Sequence, residues 1–332
     1  MIANAACPAP GSYRCRWSIS TREGGQPIFS TQIADSSNRT SEFIRPSTIV
    51  IATDLTDLDD LLPHALSQAQ GIGSAIVLVH VLPSLEDASL RNEPSSKSND
   101  DELEIKSILS RFAGELQSRR ISCSVIVKRG IPGDAVIQEV HKSQATRLMI
   151  GAHRHGHAGQ TLIGSVANAL ILQSNVPTFV VPGKGSDPVH AVPHAILHPL
   201  SLSQSSRATV PFALELASAY GAELTLLHVI DEAVMAGSYV KEIFAQANRQ
   251  MSAFVEPANC STTVRNVVTT GNTVPEIVRV ASEIQSDWIV VGIEHDFPWW
   301  SMRNNIAYQV ISESRVPVLL VRKRMLLNGG PA

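Results

Sequence analysis

Short aliphatic runs alternate with amphipathic segments from residue 47 onward. The run at 48–54 has the composition of a buried strand. In the next segment, 57–71, apolar residues recur every three to four positions, which predicts a helix that buries one face. The same alternation predicts further strands at 76–81, 121–128, 146–151 and 177–181, and helices at 101–119, 133–144 and from Gly164 onward. Together these elements form a unit with five strands.

The pattern then occurs a second time along the chain. The Leu-Val-His-Val run at 78–81 returns as Leu-Leu-His-Val at 226–229, and the Val-Pro strand at 176–181 returns at 316–321. In each comparison the two runs occupy the same place in the order of strands and helices. A repeat of about 140 residues is too long for a solenoid unit and indicates a duplicated domain.

Strands that are aliphatic throughout and alternate with helices predict parallel sheets covered on both faces. The expected fold is therefore α/β, with two tandem doubly wound parallel five-stranded sheets. We place the first domain at 47–183, a Gly-, Ser- and Pro-containing linker at 184–193, and the second domain at 194–324. Residues 1–46 are rich in Ser, Thr, Pro, Gly and Arg and are expected to form a disordered tail.

Composition excludes several classes of function. The chain has 332 residues, 44% of them hydrophobic, and a net charge of −3, so it lacks the basic excess of a general nucleic-acid binder. No apolar stretch is long enough to predict a membrane span. The four cysteines form no CxxC pair. These features predict a cytoplasmic protein without a disulfide framework.

Candidate chemistry lies where the strands of the first unit end. Ligands of doubly wound sheets bind beyond the carboxyl ends of the strands, where the strand order reverses. Asp54 ends the first strand and Gly151 the fourth, and Gly164 and Ser165 stand where the next helix begins. A helix start offers unpaired N–H groups to a phosphate, and a carboxylate can accept from a ribose hydroxyl or a base amino group. The arrangement suits a nucleotide.

These residues give the sequence a specific resemblance. The loop signature G-x2-G-x9-G-[ST] is met at its first, third and fourth positions by Gly151, Gly164 and Ser165, and Val166 follows as it usually does in the family. With the Asp54 turn and the Val-Pro strand, the chain resembles the universal stress protein (UspA-like) family in a tandem two-domain form. The resemblance implies an adenine nucleotide alpha-hydrolase-like fold and dimer-like pairing of the two halves.

The resemblance also implies ATP binding by members that keep the whole loop. Asp54 would contact the adenine or ribose, and Val81 would line the base pocket. Gly130 and Gly151 would border the ribose and phosphates. The phosphates would rest on Gly164, Ser165 and Val166 at the helix start.

One loop position departs from the signature, because Arg154 stands at its second glycine. The guanidinium could reach a phosphate as a bidentate donor, or it could fill the site and leave the domain empty. The nearby histidines His153, His155 and His157 could chelate a metal, but the simpler interpretation is that they are solvated.

The second unit departs further. We align Leu200 with Asp54 and the pair Asn304-Asn305 with the Gly-Ser pair, with Asn304 as an ordinary helix N-cap. Glu294 and Asp296 place negative charge where phosphates need donors. The second domain is therefore expected to be a degenerate partner, with a pocket for another small molecule as the alternative.

These observations predict a nucleotide-binding regulatory module of the stress response, with ATP bound through the first domain. The alternatives are an interaction protein of the same fold that binds no nucleotide, and a weak ATPase; whether the protein is an enzyme is left open. The partner expected from the sequence is an adenine nucleotide rather than nucleic acid or a membrane. The two halves are expected to form an intramolecular pseudo-dimer, and two chains could associate further as a homodimer.

Overall fold

The structure, a computed structural model, describes most of the chain. The described residues are 14–21, 27–34, 41–82, 97–152, 163–183, 189–190, 192–203, 206–231, 240–255, 262–293 and 305–327. Within them, no helix combines the length and apolar character needed to cross a membrane.

The backbone of the N-terminal segment forms a pair of antiparallel strands. Strands β1 (Arg14–Thr21) and β2 (Pro27–Ala34) pair antiparallel as a separate two-stranded sheet. The structure therefore differs, over these two ranges, from the disordered tail expected for residues 1–46. The expectation was based on the composition of the whole segment, which does not detect the alternation of Cys15, Trp17 and Ile19 with polar residues in β1.

The first domain follows the predicted alternation of strands and helices. It comprises β3 (Thr48–Ala52), α1 (Leu58–Ile72), β4 (Ala75–Leu82), α2 (Lys97–Ser118), β5 (Cys123–Arg129), α3 (Pro132–Lys142), β6 (Arg147–Gly151), α4 (Ser165–Gln173) and β7 (Thr178–Val181). Helix α1 ends at Gly73, whose left-handed φ of 79° is available to glycine at little cost.

The second domain repeats this order. It comprises β8 (Ala195–Pro199), α5 (Ser206–Tyr220), β9 (Glu223–Ile230), α6 (Val240–Val255), β10 (Val264–Thr270), α7 (Thr273–Glu283), β11 (Trp288–Ile293), α8 (Ile306–Glu313), β12 (Val318–Arg322) and a short α9 (Lys323–Leu327). The predicted duplication is thus present in the structure, element by element.

All ten strands of the two domains lie in one sheet, in the order β10-β9-β8-β11-β12-β7-β6-β3-β4-β5. Within each domain every neighbouring pair is parallel. The strand order reverses between β3 and β6 in the first domain and between β8 and β11 in the second. The α/β class with parallel five-stranded units is confirmed, and the reversals show where a ligand site belongs.

The two domains join edge to edge. Strands β7 and β12 pair antiparallel, with Phe179 opposite Leu319, so the two sheets become continuous. The Tyr308 hydroxyl donates to Asn168 Oδ1, and the buried Arg322 guanidinium donates to the carbonyls of Ile171 (2.6 Å) and Leu172 (3.0 Å). The resemblance implied a dimer-like pairing of the two halves, and within this chain the pairing is made through β7 and β12.

Residues just before the predicted start of the first domain at 47 pack against that domain. Phe43 and Ile44 lie in a helical turn at 41–44 and are buried in the core. The fully buried Arg147 guanidinium donates to the Phe43 carbonyl at 2.5 Å and to Gln68 Oε1 at 2.8 Å. The sequence did not indicate this packing, because a single turn is too short to give a periodic signal.

Candidate functional site

A cavity of about 310 Å³ opens at the carboxyl ends of β3, β4 and β6, at the reversal of strand order. The turn after β3 and the start of α4 both contribute to its wall. The residues that line it are Ala52, Thr53, Asp54, Asp57, Val79, His80, Val81, Pro132, Val136, Ile150, Gly151, Gly164, Ser165, Val166, Ala167 and Leu170.

The structure brings six of the eight sequence-predicted site residues to this cavity. They are Asp54, Val81, Gly151, Gly164, Ser165 and Val166. Gly130 is not on the wall: it turns the chain from β5 into α3 with φ 138° and donates its N–H to the Leu82 carbonyl. The wall there is formed by side chains of α3. Arg154 and the three histidines beside it lie outside the described residues.

Asp54 is held at the rim of the cavity by the turn that follows it. Its Oδ1 accepts from the Thr56 N–H at 2.9 Å and from the Thr56 hydroxyl at 2.7 Å. Leu55 between them has a φ of 78°, which this tight turn requires. The carboxylate is therefore exposed, fixed in position and able to accept a further hydrogen bond from a ligand.

Asp57 is a site residue that the sequence analysis missed. It stands at the N-cap position of α1 but makes no cap hydrogen bond; its Oδ1 instead accepts from the Thr53 hydroxyl at 2.5 Å. Its side chain lies against Gly151, where an added Cβ would come within 3.2 Å of Asp57 Cβ and Cγ. Burial raises the pKa of Asp57 from 3.8 to about 6, and the Asp54 carboxylate adds to the rise.

The start of α4 supplies the hydrogen-bond donors of the site. Gly164 is the N-cap with extended backbone angles, and no side chain caps the helix. The first-turn residues Ser165, Val166 and Ala167 all line the cavity. An uncapped helix start of this kind binds anions through its N–H groups and its partial positive charge.

His80 and His228 lie near the ends of equivalent strands, and each has a backbone hydrogen-bond partner. His80 Nδ1 lies 2.9 Å from the Thr53 carbonyl oxygen, and His228 Nδ1 lies 3.0 Å from that of Leu200. These bonds fix the two imidazoles in the same way in both domains.

The buried Asp57 carboxyl predicts a pH-dependent stability. Because the native state holds this proton more tightly than the unfolded chain, the free energy of unfolding should fall as pH rises from about 4 to about 6. Above that range the cost of burying the charge is fully present. Asp57→Asn should remove this fall, measured by urea denaturation across the range.

Asp59→Asn is the matched control, because Asp59 lies exposed on the same helix. We expect it to keep the wild-type dependence of unfolding on pH. A wild-type profile in the Asp57→Asn protein would show that this carboxyl does not titrate in that range.

The structure of the second domain corrects one alignment and one N-cap assignment made from the sequence. The N–H of Thr53 donates to Val79 and that of Leu200 donates to Leu227, so Leu200 matches Thr53 and the counterpart of Asp54 is Ser201. Pro199 pairs with Leu227 as Ala52 pairs with Val79, so β8 and β3 end at equivalent residues.

The start of α8 gives the second correction. Asn305 is the N-cap of this helix, and its side chain accepts from the Ala307 N–H at 2.8 Å. The N-cap had been assigned to Asn304, which lies outside the described residues together with Glu294 and Asp296. In α8 a side chain thus uses a donor of the helix start, whereas α4 has no such cap.

Comparison with known proteins assigns the chain to a family. The sequence profile described as universal stress protein family matches residues 46–182 and again 194–322. The chain therefore belongs to the universal stress protein family and carries two copies of its domain. Comparison with curated protein sequences finds no match.

Solved structures agree on the tandem architecture. A universal stress protein from Archaeoglobus fulgidus DSM 4304 is similar with a TM-score of 0.63 at 17% identity, over 83% of this chain and 98% of that one. A functionally unknown protein from Pseudomonas aeruginosa PAO1 has a TM-score of 0.61 at 14% identity, over 86% and 96% of the two chains. At these identities the similarity concerns the fold.

Proposed function

We propose that the first domain binds an adenine nucleotide, ATP, and that the protein acts as a nucleotide-responsive regulatory module in the stress response. The observation that carries the proposal is that the uncapped start of α4 and Asp54 line the same cavity. An anion-binding helix start and a hydrogen-bond acceptor in one cavity suit the phosphates and the ribose or base of a nucleotide.

The phosphates would rest against the backbone of Ser165, Val166 and Ala167, with the Ser165 hydroxyl as a further donor. Gly151 has no side chain, which leaves room for the Asp57 carboxyl beside the end of β6. Arg154, in the loop before Ile163, would add a charged donor to the phosphates. These groups supply electrostatic attraction and direction at one end of the ligand.

The base and ribose would occupy the opposite end of the cavity. Asp54 would accept from a ribose hydroxyl or from the adenine amino group, since its carboxylate is exposed and fixed by Thr56. Val81, Val136 and Ile150 line this space and offer apolar contact to a planar base. Binding and orientation are the chemistry that these residues can supply.

Calorimetric titration with ATP tests the proposal. We expect saturable binding by the wild-type chain and a loss of at least about tenfold in the double variant Gly164→Val and Ser165→Ala. Valine would place a branched side chain at the cavity wall, yet the extended angles of Gly164 suit valine, so the fold should persist. Circular dichroism before and after heating checks that the variant is folded.

Asn305→Ala is the matched control, since it alters the equivalent helix start in the second domain. It should leave ATP binding unchanged and cost about 1 kcal/mol of stability through the lost cap. Absence of saturable ATP binding by the wild-type protein would refute the proposal and favour an interaction protein of the same fold.

A further inference from the structure

The second domain contains its own, larger cavity at the equivalent place. Its volume is about 570 Å³, and it opens at the carboxyl ends of β8, β9 and β11, where the strand order reverses again. Cavities of this size are typical of small-molecule sites. The second domain has therefore lost the nucleotide-binding motif but still contains a cavity at the equivalent place.

The polar groups of this second cavity differ from those of the first. Ser201 replaces the carboxylate of Asp54, which removes the charged acceptor for a ribose or an adenine. Asn305 caps α8 and occupies the Ala307 N–H, a donor whose counterpart in α4 has no side-chain cap. Both changes weaken the match to a nucleotide.

The wall of the second cavity is mainly aliphatic. Side chains from β9, β11, α7 and α8 converge on it, so a ligand with an apolar body would be removed from water on several sides. The apolar residues lining it are Pro199, Leu200, Leu227, Val229, Ile277, Val291, Ile293, Ile306 and Ala307.

One cation lies at this apolar cavity. Lys323 follows β12, lines the cavity and is partly buried, and the corresponding position after β7 is Gly183. Among the side chains that the structure describes, none forms an ion pair with Lys323. A single ammonium beside an aliphatic wall complements a ligand with one negative charge and an apolar body.

We propose that the second domain binds an amphiphilic monocarboxylate, an aliphatic acid whose chain lies along the β9 and β11 side chains and whose carboxylate pairs with Lys323. A carboxylate carries the one charge that one lysine can balance. The first domain lacks this lysine, so the two cavities should have different ligands. The proposal does not depend on ATP binding by the first domain.

Octanoate tests the class of ligand, with octanol as its uncharged analogue. We expect the wild-type chain to bind octanoate saturably at millimolar concentration, measured by calorimetry. Lys323→Gln should weaken octanoate binding about tenfold and leave octanol binding unchanged. Lys142→Gln, at an exposed lysine of the first domain, is the control and should change neither.

A pair of equivalent substitutions tests the location. Val81 and Val229 occupy the same position after His80 and His228, and each lines the cavity of its own domain. Val229→Trp should fill the second cavity and abolish octanoate binding, whereas Val81→Trp should leave it intact. Thermal unfolding shows whether each variant is folded.

Three results would overturn the proposal. They are the absence of octanoate binding by the wild-type chain, binding that is unchanged in Lys323→Gln, and binding that Val81→Trp abolishes while Val229→Trp does not. A failure to bind ATP would leave each of these measurements and its meaning unaffected.

Discussion

Phe179→Ala should lower the free energy of unfolding by about 3–5 kcal/mol, among the largest losses expected from one core substitution. Phe179 lies in β7 and is fully buried. Its ring stands edge-on to Trp288 of the second domain at 5.3 Å between centroids, and Trp288 contacts Tyr220 at 4.9 Å. The substitution removes one member of the cluster that joins the two domains.

Urea denaturation followed by circular dichroism measures this loss. Phe112→Ala is the control, because Phe112 is also buried but lies in α2 of the first domain. We expect Phe112→Ala to destabilise the protein without loosening the junction between the domains. Limited proteolysis should therefore show greater cleavage in Phe179→Ala and not in Phe112→Ala. A loss below about 1 kcal/mol for Phe179→Ala would contradict this account of the junction.

Gly151→Ala should cost about 1–3 kcal/mol of stability, because the new methyl group has no space. The added Cβ would lie within 3.2 Å of Asp57 Cβ and Cγ, and closer still to its Oδ2. Asp57 must then move towards the cavity, away from the Thr53 hydroxyl that donates to it. We therefore expect ATP binding to weaken in the same variant, measured by calorimetry.

A double-mutant cycle isolates the cause of this effect. In an Asp57→Ala background the cost of Gly151→Ala should fall, since the nearest atom that the methyl group meets, Oδ2, is gone together with Cγ and only Cβ remains. Gly292→Ala is the matched control: its Cβ would come within 2.7 Å of Thr209 Cγ2 in the second domain, so Asp57→Ala should not relieve it. Additive costs at Gly151 and Asp57 would contradict the steric account.

The architecture could be predicted from the sequence because its cause is local and repeated. Parallel strands covered on both faces must be aliphatic throughout, and the helices between them must each bury one face, so both signals are visible along the chain. The duplication doubles the evidence for each element. Gly151, Gly164 and Ser165 were identified from the spacing of the loop signature, and all three line the cavity of the first domain.

The parts that the sequence did not predict depend on contacts between distant residues. Asp57 has the appearance of a helix N-cap, and only the packing of α1 against β6 turns it towards Gly151. Phe43 and Ile44 belong to the core because Arg147, about a hundred residues away, donates to the Phe43 carbonyl. Leu200 was misaligned with Asp54 because no carboxylate follows β8 to mark the register, which is visible only in the hydrogen bonds of Thr53 and Leu200 to the neighbouring strands.

A crystal structure of the chain with ATP tests the central claim most directly. The account predicts the nucleotide in the first domain, with its phosphates at the start of α4 and its ribose or adenine within hydrogen-bond distance of Asp54. A nucleotide bound in the second domain instead, or bound away from the carboxyl ends of β3 and β6, would contradict it.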